Sequence, residues 1–125
     1  MNKICTSIEQ SKKLLELGID INTADMYYEE VCNLPKAIIG NYILHNQCME
    51  DKDYKKLSNP VLSPAWSLTA LLSVLDFPSL TQNKEDEWEV CVPNHKSDGY
   101  IDVSADNPVD ACVEMILKLR RLNLS

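Results

Sequence analysis

The sequence predicts an α+β fold: a two-layer sandwich, with an antiparallel sheet of about four strands packed by three helices in the order helix, hairpin, helix, hairpin, helix. Three observations predict it. Trp88, Val90 and Val92 alternate with Glu87, Glu89 and Cys91, and a second alternation follows the turn signal Asp98-Gly99. Helix-start chemistry occurs at Thr6-Ser7, Ser63-Pro64 and Asn107-Pro108. Two runs between Asp25 and Leu44 favour strands and are separated by Leu34-Pro35. At 125 residues, the chain reads as a single domain over 1–125, large enough to bury a core without metals or disulfides.

The first helix is expected to begin at Thr6 or Ser7. Thr6-Ser7-Ile8-Glu9 and Ser7-Ile8-Glu9-Gln10 both match a capping box, in which a hydroxyl and an acidic or amide side chain satisfy free backbone donors. Ile4, Ile8, Leu14 and Leu15 recur at helical spacing, and Gly18 ends the run because glycine adopts the left-handed conformation cheaply. Asp25-Met26-Tyr27-Tyr28-Glu29-Glu30-Val31 then reads as a strand. Lys36–Leu44 reads as its partner, with Gly40 at a bulge or bend, although a short helix also fits. His45–Asn59 is polar and reads as a surface loop with room for one helical turn.

A second helix is expected from Ser63 as cap and Pro64 as first helical residue, with Leu68, Leu71, Leu72 and Leu75 as its apolar stripe. Asp76-Phe77-Pro78 stops it, and Ser79–Asp86 reads as a polar connection. The next hairpin places Trp88, Val90, Val92, Ile101 and Val103 on its inner face. Glu87, Glu89, Tyr100, Asp102 and Ser104 fall on its outer face. The last helix has Asn107 as cap, Pro108 at its first position and Asp110 near its positive end, with Lys118, Arg120 and Arg121 at its negative end. Asp110, Glu114, Lys118 and Arg121 form one narrow polar stripe, so the helix must be buried on more than one side. Either it lies between the sheet and another helix, or one flank meets a second subunit.

A net charge of −7 disfavours nucleic acid and anionic membrane as partners, since both call for clustered Lys and Arg. Mimicry of DNA charge would need a long acidic face, and the acidic residues are scattered. Cys5, Cys32, Cys48, Cys91 and Cys112 are odd in number, and Met1-Asn2-Lys3 leads straight into a helix signal without a secretory pattern. These features predict free thiols and a cytoplasmic location.

Four constellations could carry chemistry. His45-x2-Cys48 and Cys91-x3-His95 together supply four zinc-type ligands, although neither pair has the usual Cys-x2-Cys spacing. Cys91 near His95 is the one thiol with an adjacent base, while Cys112 sits in an apolar helix that raises a thiol pKa. Asp25 with Glu29, and Asp98 with Asp102 and Asp106, could chelate a cation or act as acid and base. Thr23-Ala24-Asp25-Met26 reads as a turn entering a strand, and Trp66 either stacks on a ligand or fills the core. Gly18, Gly40 and Gly99 lie too far apart for a phosphate-binding loop, and no Gly-x-Ser-x-Gly or His-Glu-x-x-His occurs. No cofactor is therefore expected.

Several stretches stand out as strings: Ser7-Ile8-Glu9-Gln10-Ser11-Lys12-Lys13-Leu14-Leu15-Glu16-Leu17-Gly18, Thr23-Ala24-Asp25-Met26, Pro64-Ala65-Trp66-Ser67-Leu68 with Ala70-Leu71-Leu72, and Ala105-Asp106-Asn107-Pro108-Val109-Asp110-Ala111-Cys112-Val113-Glu114-Met115-Ile116. With them the chain resembles a family of small uncharacterised proteins encoded in phages, prophages and mobile elements of gut Bacteroidetes. The resemblance implies a genomic setting and no mechanism. With no catalytic motif found, the expected role is a non-catalytic, protein-binding accessory one, through a protein partner or self-association. The alternatives are a small cation-dependent or hydrolytic enzyme using the carboxylates, and a zinc-stabilised adaptor using His45, Cys48, Cys91 and His95.

Overall fold

Ser7 sets the start of the first helix. In the computed structural model, which describes residues 3–30, 42–45, 62–83 and 86–122, helix α1 (Ile8–Glu16) opens with a complete capping box. The Gln10 amide donates to Ser7 Oγ at 3.2 Å, and the Ser7 amide donates to Gln10 Oε1 at 2.9 Å. Thr6 is not the cap: it is buried beneath the helix start. Gly18 closes the helix with φ +85°, where a side chain would be strained, and the Ile19 amide reaches back to the Leu14 carbonyl at 3.1 Å. A single 3-10 turn (Ile21–Thr23), capped by Asp20, leads to the first strand.

Strands β1 (Met26–Glu30), β2 (Tyr42–His45) and β3 (Leu62–Ala65) form an antiparallel sheet in the order β2-β1-β3. The expected partner strand is thus present from Tyr42, and His45 is its last residue rather than the first of a loop; Lys36–Asn41, Gly40 among them, and 46–59 lie outside the described residues. The expected helix start at Ser63-Pro64 is corrected. Both residues belong to β3, and the cap falls four residues later at Ser67, whose Oγ accepts from the Ala70 amide at 3.2 Å. Proline fits the first turn of a helix and the open side of an edge strand for the same reason, its missing N–H. Pairing with β1 decided between them.

Helix α2 (Leu68–Val74) buries Ala70 and Leu71 and stops where Leu75 turns extended, just before Phe77 takes φ +49°. Ser79–Gln82, expected as a polar connection, is instead strand β4. It lies at the edge of a second antiparallel sheet, in the order β4-β5-β6, with β5 (Trp88–Pro93) and β6 (Tyr100–Ala105). An edge strand packs little of its surface, so a polar composition does not forbid it. The β5–β6 register places Val90 opposite Val103 and Val92 opposite Ile101 on the inner face, and Cys91 opposite Asp102 on the outer, as the alternation predicts.

The architecture is mixed α+β, but among the described residues the strands divide over two sheets of three rather than one sheet of about four. Each sheet has its own apolar cluster. Cys5, Met26 and Ala65 pack with Tyr28 on the first sheet, while the larger core gathers Leu14, Trp66, Leu71, Val90, Val92 and helix α3 (Pro108–Arg121). Helix α3 lies against β5 and β6 and also meets α2 and α1. From Val109 to Ile116 the apolar flank of the helix is covered from within the chain. Val109, Val113, Met115 and Ile116 are all at most 3% exposed, and each contributes about 1.5–3 kcal/mol by burial. Among the described residues no helix is long and apolar enough to cross a membrane.

Candidate functional site

The polar residues near the start of α3 are tied to distant parts of the chain. Asn107 Oδ1 accepts from the Asp110 amide at 2.8 Å, and Asn107 Nδ2 donates to Asp110 Oδ2 at 2.7 Å. The other carboxylate oxygen, Oδ1, takes Lys3 Nζ at 2.6 Å and Gln10 Nε2 at 2.8 Å. Partial burial pushes the Asp110 carboxyl up, but the bonds from Lys3, Gln10 and Asn107 and the Lys3 charge outweigh it and hold the pKa below the ordinary value.

A second knot surrounds Trp66. The ring is fully buried, and its indole N–H donates to Thr23 Oγ1 at 2.9 Å, so this side chain is core and does not await a ligand. Its backbone amide donates to Thr6 Oγ1 at 3.0 Å, and Thr6 Oγ1 in turn meets Ser11 Oγ at 2.8 Å. Asp25, read as a possible acid, base or cation ligand, accepts the Ser67 amide at 2.9 Å and the Ser67 hydroxyl. It fixes the start of α2. Tyr28 donates to the Thr6 carbonyl at 2.9 Å, and burial, with the Cys5 thiol 3.4 Å away, pushes its pKa up. Among the described residues no buried side-chain nitrogen or oxygen lacks a partner. Segments far apart in the sequence are thus bonded to one another: Gln10 to Asp110, Thr23 to Trp66, and Asp25 to Ser67.

Among the described residues the remaining candidates do not converge. Asp98, Asp102 and Asp106 are exposed, and the six-residue strand between the first and last of them spans roughly 20 Å. The Glu29 side chain lies outside the described residues, as do the His45 side chain and all of Cys48. Cys91 is half-buried on the outer face of β5; burial first, then the nearby Asp102 and Glu89 charges, push its thiol pKa up, which opposes a nucleophilic role. Burial pushes the Cys112 thiol up to about 12. Among the described residues no group of three or more His, Cys, Asp or Glu side chains could hold a metal ion.

One concave feature lies at the opposite end of α3. Val74, Leu75, Val92, Pro93 and Leu119 floor a cleft of about 190 Å³ whose rim carries Asp76, His95 and Arg120. A smaller hollow of about 50 Å³, reaching Ile19 and Ile116, shares the walls Val74, Leu75, Leu119 and Arg120. His95 Nε2 stands 3.6 Å from Asp76 Oδ2, with both side chains largely exposed. Immediately after Asp76, Phe77 is 83% exposed and held at φ +49°. Left-handed backbone is uncommon for a bulky residue and costs of order 1–2 kcal/mol. Sequence reasoning missed this site because Asp76-Phe77-Pro78 had a sufficient explanation as a helix stop and Arg120 as a helix-end charge. One signal was available: the only Phe of the chain sits at a turn rather than in an apolar stripe.

The chain is a mixed α+β protein with two small antiparallel sheets packed against helices. No protein-family model, curated protein or solved structure compared with the chain matches it.

Proposed function

We propose that this chain is a non-catalytic, protein-binding accessory protein of the cytoplasm, acting in the phage or mobile-element setting that its resemblance implies. The observation that carries the reading is Phe77. A large aromatic ring stands in solvent on a left-handed residue, next in sequence to Asp76 of a cleft that mixes apolar side chains with Asp76, His95 and Arg120. Aromatic anchors next to small desolvated pockets dominate the energetics of protein interfaces. A cleft of about 190 Å³ is smaller than the roughly 300–1,000 Å³ usual for small-molecule sites, and suits one side chain of a protein partner. The polar groups that might have served catalysis support the same reading, since Asp25, Thr23 and Asp110 are engaged in holding the fold. The net charge of −7 argues against nucleic acid and anionic membrane.

Photo-crosslinking tests the proposal. A benzophenone side chain placed at Phe77 should give a discrete protein adduct in cells expressing the chain, and one placed at the exposed turn residue Asp98 should not. Absence of any protein adduct at position 77 would contradict the reading.

A further inference from the structure

We propose that the cleft at the C-terminal end of α3 receives Phe77 from a second copy of this chain, so that two copies exchange this ring about a two-fold axis. The inference rests on the protein-binding reading and names the partner. A two-fold contact needs one patch that is complementary to itself. Here a knob and a hole are adjacent in the chain: Phe77 directly follows Asp76, which lines the cleft, and is 83% exposed.

Size agrees with this occupant. An apolar cavity of about 150 Å³ holds a benzene ring, and the cleft measures about 190 Å³ over a floor of Val74, Leu75, Val92 and Leu119. Charge agrees as well. Arg120 at the rim makes no hydrogen bond or ion pair within the described residues. The ring that enters brings its neighbour Asp76, so a carboxylate reaches the rim that carries the second copy's Arg120. An aromatic ring next to an acid fits a cleft of this size with Arg120 in its lining, and the chain presents that pair on its own surface as Asp76-Phe77. A contact this small makes a weak, concentration-dependent dimer.

Sedimentation velocity, from roughly 10 µM to 1 mM, tests the pairing. Wild type should move from monomer toward dimer across the range. Phe77→Ser should weaken the dimer at least about ten-fold, and Phe77→Gly, which suits the positive φ, should do the same with the fold verified by circular dichroism. D76R and R120D should each weaken it, and the double variant D76R/R120D should recover much of the loss. A wild type that stays monomeric throughout, or a dimer indifferent to the Phe77 variants and without rescue, overturns the inference. If position 77 nevertheless crosslinks to a different protein, the self-pairing fails and the protein-binding reading stands. If it yields neither dimer nor adduct, both fail.

Discussion

At the N-terminal end of α3, Asn107 and Asp110 are bonded to each other, to Lys3 and to Gln10; at the C-terminal end, Leu119 and Arg120 face an open cleft beside an exposed Phe77. Both ends carry charged residues that suit the helix dipole, Asp110 at the positive end and Lys118, Arg120 and Arg121 at the negative end. The difference lies in what else those residues do. The N-terminal group closes the fold, because Asn107 and Asp110 satisfy each other locally while Asp110 Oδ1 takes Lys3 and Gln10 from a separate segment. Among the described residues the C-terminal group leaves a guanidinium, an aromatic ring and a cleft without an internal partner. Substitutions on the two sides should therefore separate stability from association.

The largest expected loss of stability is on the closed side. Trp66→Ala removes a fully buried ring and its bond to Thr23, and should cost about 3–5 kcal/mol in urea unfolding, enough to leave the protein marginal. Asn107→Ala removes the cap of α3 and one partner of Asp110 and should cost about 1–2 kcal/mol by the same measurement.

Asp110→Asn should cost less, about 1 kcal/mol at neutral pH, because the carboxylate is about a third exposed and solvent screens its pair with Lys3. The effect should depend on pH in a defined direction. The folded carboxyl has a pKa below that of the unfolded chain, so its contribution is complete above about pH 4–5 and is lost as pH falls through the folded value. Urea midpoints at pH 7 and pH 3 should show wild type and D110N differing at the first and converging toward the second. A difference that grows on acidification would contradict the assigned bonds.

The smallest stability effect is expected on the open side. Phe77→Gly relieves a left-handed residue but frees the unfolded chain, two terms of similar size and opposite sign, so its unfolding free energy should lie within about 1 kcal/mol of wild type. Arg120→Asp should change stability by no more than about 0.5 kcal/mol. A loss of several kcal/mol from either would mean that this end also closes the fold, and the comparison would collapse.

What could be read from the sequence follows the same division. The start of α3 was legible because a cap, a proline and an acidic first turn act within four residues. The β5–β6 faces were legible because alternation and a turn act within one hairpin. The partners of Asp110 were not, since Lys3 and Gln10 lie about 100 residues away and nothing local marks them. Ser63 reads as a cap from its neighbours alone; the pairing of β1 with β3 takes it into a strand, and the cap falls at Ser67. β4 escaped notice because Ser79, Thr81 and Gln82 are exposed at a sheet edge, so burial leaves no pattern there. Asp25 and Trp66 looked like candidates for chemistry as isolated residues. Their roles emerged only when Ser67 and Thr23 were brought against them.

Amide hydrogen exchange on the unmodified protein at low and at millimolar concentration tests the central contrast most directly. Protection across Val109–Met115 should be high and independent of concentration, because internal contacts hold that end. Protection at Val74–Phe77 and around Leu119–Arg120 should be lower in dilute solution and rise with concentration as the cleft is covered. Equal protection at the two ends, or a concentration-dependent rise confined to the N-terminal end of α3, would contradict the account.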